Sequence, residues 1–74
     1  MTNQEIKAEY LENEDCNDHA ANYVLLAKHF GTEAQQELAQ RNYDWRELVG
    51  YTNPELSAET HAAVNPLYSN VRAA

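Results

Sequence analysis

From Ala20 to Phe30 the apolar positions recur every three or four residues. At about 100° per residue, Ala20, Tyr23, Val24, Ala27 and Phe30 fall on one face of a helix. Leu26 widens that face, and Leu25 lies nearly opposite it, close to His29. The pattern predicts a central helix over 16–30. Asp15 or Asn17 is placed to cap its start, and Gly31 to stop it in a left-handed conformation.

The other helices announce themselves by their caps. Thr2-Asn3-Gln4-Glu5 reads as a capping box, in which Thr2 accepts from the backbone ahead and Glu5 reaches back. The helix it opens, about 3–12, carries a thin apolar face of Ile6 and Tyr10 with Leu11 to one side. Such a helix needs something to dock on. Thr32-Glu33-Ala34-Gln35 is a second box and opens a helix over 33–49, on which Ala34, Leu38, Trp45, Leu48 and Val49 share a face. Asp44 and Glu47 form a third box that could start a fresh helix. One long or kinked helix is the expectation. Asn53-Pro54 pairs a capping side chain with proline at the first helical position. It opens a helix over 54–64, with Leu56, Thr60 and Ala63 inward, and Pro66 ends it.

The fold class expected is all-α, a single domain over 1–74. It is a small bundle of three to four short helices (about 3–12, 16–30, 33–49 and 54–64) with a loose C-terminal tail from Ser69. Leu67, Tyr68 and Val71 can fold back on the core. The core expected is Tyr23, Val24, Ala27, Phe30, Leu38, Trp45, Leu48 and Leu56.

Composition makes that core thin. Leu, Ile, Val and Phe supply 13 of the 74 residues, below the roughly 20% at which a charged chain turns toward disorder. Five tyrosines and Trp45 restore the balance, because each ring buries a large area. Stability of roughly 3–5 kcal/mol is expected of a chain this short. One cysteine, Cys16, excludes an internal disulfide. The longest apolar run, Tyr23 to Ala27, is far short of the roughly 20 residues of a membrane helix. The polar start, Met1 to Tyr10, lacks the apolar stretch of a secretory leader. These features point to a soluble cytoplasmic protein.

Candidate chemistry is sparse. Cys16 and His19 stand at i, i+3 beside Asp15, but a tetrahedral metal site needs three or four converging ligands. A calcium loop counted from Asp15 would need glycine at Ala20 and glutamate at Leu26. Cys16 therefore reads as a small core residue and His19 as a helix-flank residue. Ser57 and Ser69 have no nucleophile context, and no glycine-rich phosphate cradle is present. No enzyme activity, cofactor or metal is expected. Leu25 to Thr32 resembles the first helix and turn of the helix-turn-helix DNA-binding family over about 20 residues. That family wants an aliphatic residue where Glu37 stands, and donors where residues 33–43 offer Arg41 against Glu33 and Glu37. Asn65-Pro66-Leu67-Tyr68 matches the tyrosine turn motif read by phosphotyrosine-binding-type domains. Its plainer reading is a helix stop with Tyr68 packed inward.

Charge says more. Twelve acids face five bases, for a net −7. Six of the acids, against Lys7, lie in residues 1–18. A field of that sign repels phosphate backbones and attracts basic surfaces. Glu9, Glu12, Glu14, Asp15 and Asp18 are the candidate partner-binding carboxylates, and Tyr43 and Tyr51 the candidate aromatic anchors. The function expected is non-catalytic protein binding. Its sharper form is an acidic inhibitor or nucleic-acid mimic acting on a basic partner, as in small proteins of phages and mobile elements. A helix-turn-helix-like DNA-binding regulator and a self-associating helical module are the alternatives. The partner expected is a protein, not nucleic acid or membrane, with a homo-oligomer as a further possibility.

Overall fold

A computed structural model describes residues 1–73. Five α-helices follow one another: α1 Asn3–Asp15, α2 His19–Phe30, α3 Glu33–Val49, α4 Pro54–Val64 and α5 Tyr68–Arg72, with a 3₁₀ turn at Asn65–Leu67 between the last two. Among the described residues there is no strand. The all-α bundle read from the sequence is the architecture found, and α3 runs unbroken through Asp44.

Helix α2 is central, touching α1, α3 and α4, while α1 and α5 pack on each other. Tyr23, Leu26 and Ala27 of α2 meet Ala39 of α3, Val64 of α4, and Tyr68 and Val71 of α5. Tyr10, Val24, Phe30 and Leu67 close the margins of this core. Both capping boxes form, at Thr2 with Glu5 and at Thr32 with Gln35. Asn53 caps α4, accepting from the backbone N–H groups of Glu55 and Leu56 at 3.1 Å.

The boundary between α1 and α2 differs from the sequence reading. Helix α1 continues to Asp15, and α2 starts at His19 rather than at 16. Asn17 takes the left-handed conformation (φ 56°) that ends α1, a role in which asparagine is second to glycine. Asp18 then caps α2 by accepting from the Ala21 N–H at 3.3 Å. Cys16, expected in the core, is exposed, because the turn carries it past the packed face of α1.

Gly31 is also not the left-handed stop expected. Its backbone is extended (φ −99°, ψ 169°). Space is what it supplies: a Cβ there would lie 2.9 Å from the Ala27 carbonyl oxygen and 3.0 Å from the Ala27 Cα. The left-handed stop is Gly50 at the end of α3, with φ 86°. The tail expected to be loose from Ser69 is helical to Arg72 and holds Val71 at 2% exposure. Leu25, expected on the outer side of α2, is buried, because α1 covers that side.

The largest difference lies in α3. Trp45 and Leu48, expected in the core, are 38% and 85% exposed. Gln35, Ala39, Asn42 and Arg46 turn inward instead, at i, i+4, i+7 and i+11. Specific partners make the polar stripe stable inside. Gln35 Nε2 donates to the Ala63 carbonyl at 2.9 Å, Arg46 pairs with Asp18, and Ala39, with no exposed surface, lets α2 and α3 approach closely. Orientation explains most of what remains outside. At about 100° per residue, Trp45 and Leu48 stand roughly 90° and 150° from the centre of that stripe. Val49 lies nearer to it but past Arg46, which already meets Asp18 at the start of α2.

Candidate protein-docking face

The C-terminal turns of α3 present Trp45, Leu48 and Val49 at helical spacing, and Tyr51 follows just beyond Gly50. All four are exposed: Trp45 and Leu48 as above, Val49 at 43% and Tyr51 at 61%. Beside them, Arg41 and Trp45 face the capping residue Asn53 and Glu55, Leu56 and Glu59 of α4 across an open groove of about 270 Å³. Asp44 and Glu47 flank the same turns of α3 and are exposed. The face is therefore an apolar strip with an acidic border. Contiguous apolar surface rimmed by polar groups is the usual mark of an interaction site.

The candidate carboxylates do not act as one array. Glu9, Glu12 and Asp15 stand exposed on α1. Glu14 is half-buried and turns toward a separate groove shared with Tyr10, Tyr23, His61, Tyr68 and Arg72. Asp18 is committed twice over: it caps α2, and it accepts from Arg46 Nη1. Arg46 also donates to Glu47 at 3.2 Å. Of the aromatic candidates, Tyr51 is exposed, whereas Tyr43 is half-buried with the Arg46 guanidinium 5.2 Å from its ring centre.

The hydrogen bond from Arg46 holds the Asp18 carboxyl below its ordinary value of 3.8, with the Ala21 N–H adding to the effect. A lowered folded-state value means that the pair stabilises the fold above the unfolded value and loses that contribution as pH falls through the folded one. Asp18→Asn is accordingly expected to be less stable than the parent in urea at neutral pH. The gap should narrow steadily below about pH 4. A gap independent of pH would mean that the charge pair with Arg46 is not its cause, since asparagine keeps the capping oxygen.

Tyr68, the tyrosine of the Asn65–Tyr68 motif, is 8% exposed. It meets Tyr10 edge to face at 5.6 Å, and burial pushes its hydroxyl up to about 12. It belongs to the core. Among the described residues, no three of His, Cys, Asp and Glu converge as a metal site, and no helix is long and apolar enough to cross a membrane.

Sequence reasoning missed Trp45, Leu48 and Val49 as surface residues because their spacing is that of a core face. One signal was available: the inward stripe of α3 carries polar side chains, of which Gln35 and Arg46 find partners elsewhere in the chain. The chain matches no protein-family model, no curated protein and no solved structure.

Proposed function

We propose that this chain is a non-catalytic protein-binding protein that docks Trp45, Leu48, Val49 and Tyr51 onto an apolar patch set in a basic partner surface. The observation that carries the reading is the exposure of these four side chains inside a border of Asp44, Glu47, Glu55 and Glu59. Tryptophan and tyrosine are the commonest anchors of protein interfaces. The border and the net −7 would steer a basic partner and make association salt-dependent. Glu9, Glu12 and Asp15 add to that steering from α1. A surface that ordinarily holds nucleic-acid phosphates has the required charge, so the binding reads as inhibitory competition with nucleic acid. A second copy fits less well, because it would set one acidic border near another. The exposed Cys16 thiol suits a reducing compartment such as the cytoplasm.

Affinity capture from host-cell lysate, run with the parent and with the double variant Trp45→Ala/Leu48→Ser, tests the reading. One basic protein is expected on the parent at low salt, released by high salt and by added DNA, and absent from the variant. Equal retention by parent and variant would exclude this face. Retention that ignores salt and DNA would exclude the basic, phosphate-holding partner.

A further inference from the structure

Asn42 sits on the inward stripe of α3 with 3% of its surface exposed, yet its side chain makes no hydrogen bond to any described residue. An amide so placed takes its hydrogen bonds from water or from a ligand. The other buried polar side chains are held. Asn22 accepts from Asn13 at 3.0 Å and donates to the Tyr10 carbonyl at 3.2 Å, and Thr60 donates to the Leu56 carbonyl at 2.7 Å. No side-chain nitrogen or oxygen sealed from solvent lacks a partner. The small exposure of Asn42 therefore belongs to its amide, and it opens on a cavity of about 150 Å³ at the junction of α2, α3 and the loop into α4.

The wall of that cavity has a definite character. Asn42 shares it with His19, Tyr23, Arg46, Thr52 and Ser57. No carboxylate lines it, although acids outnumber bases in the chain. Arg46 brings a charge already matched by Asp18 and Glu47. For an anion the guanidinium charge is already offset by those two carboxylates, and a cation would meet the guanidinium itself. The hydroxyls of Thr52 and Ser57, Ala20, and the His19 imidazole, 2.9 Å from Asn17 Oδ1, make up the rest, and Tyr23 adds aromatic surface while its hydroxyl lies 3.2 Å from His61 Nδ1. The volume is about ten times the roughly 10–15 Å³ that one water requires.

We propose that the cavity is a binding site for a small uncharged ring carrying an adjacent N–H and C=O, the lactam edge of a pyrimidine base. The Asn42 carboxamide offers an acceptor and a donor side by side. The matching edge is a donor beside an acceptor, joined by two parallel hydrogen bonds. Thr52 and Ser57 add hydroxyls, able to donate or accept, to the same wall. This site is distinct from the docking face and does not depend on it.

The test is a titration of the ¹⁵N-labelled full chain, following the Asn42 side-chain NH₂ and the backbone of Thr52 and Ser57. The probes are uracil, 1,3-dimethyluracil and acetate. Uracil is expected to give saturable shifts at millimolar concentration. Dimethyluracil, which lacks the N–H, should bind at least tenfold more weakly, and acetate should leave the resonances in place. Asn42→Leu should lose the response while keeping a cooperative melt. If that variant does not fold, Thr52→Val on the exposed loop serves instead, with a severalfold weaker response expected. Absence of saturable shifts with uracil up to its solubility would overturn the proposal. So would equal binding of the dimethylated ring, or binding of acetate.

Discussion

Ending the chain after Leu67 is expected to unfold the domain at room temperature. The truncation removes Tyr68 and Val71, which are 8% and 2% exposed and belong to the core. Burial of a large apolar side chain contributes about 1.5–3 kcal/mol, so the two together account for about 3–6 kcal/mol. The edge-to-face contact of Tyr68 with Tyr10 adds about 0.5–1.5 kcal/mol. A domain of this size has roughly 3–5 kcal/mol to lose. The far-ultraviolet circular dichroism of the shortened chain should therefore resemble that of the parent in high urea. A shortened chain with full helical signal and a cooperative melt would show that α5 is dispensable.

The second large effect separates two leucines that look alike in sequence. Leu26 lies in the centre of α2 with no exposed surface, and Leu48 lies near the end of α3 at 85% exposure. Leu26→Ala removes three carbons from a packed site and is expected to cost about 2–5 kcal/mol. That is most of the available stability, and the melting temperature should fall by about 8 °C or more. Leu48→Ala removes the same atoms from water-exposed surface and should stay within about 0.5 kcal/mol of the parent. Urea unfolding of the two variants side by side checks both. Equal losses would mean that the α3 face is packed after all.

Local chemistry made much of the fold legible. The two capping boxes and the Asn53-Pro54 start depend on side chains that act within a single turn, and these set the starts of α1, α3 and α4 where the sequence places them. The apolar spacing of α2 marks the central helix for the same reason: its partners lie on nearly every side. Three features escaped because they depend on residues distant in sequence. Asp18 could be read as a free surface acid, since Arg46, its partner, is 28 positions away. Gln35 reads as a capping side chain, and its further bond to Ala63 appears only once α3 and α4 are packed. Trp45, Leu48 and Val49 have core spacing, and which stripe of α3 turns inward is decided by the groups that Gln35 and Arg46 meet elsewhere in the chain. The candidate docking face was invisible for that reason. The acidic and tyrosine candidates, read from composition, lie partly on it and partly elsewhere.

The proposed docking surface is the Trp45 face. Trp45 is the chain's single tryptophan, so 5-fluorotryptophan labelling gives one ¹⁹F resonance from the middle of the face. Adding the unlabelled captured partner should shift and broaden that resonance in proportion to complex formed, and high salt should restore it. A resonance that stays in place while the complex demonstrably forms would put the partner on another surface and overturn the proposed docking.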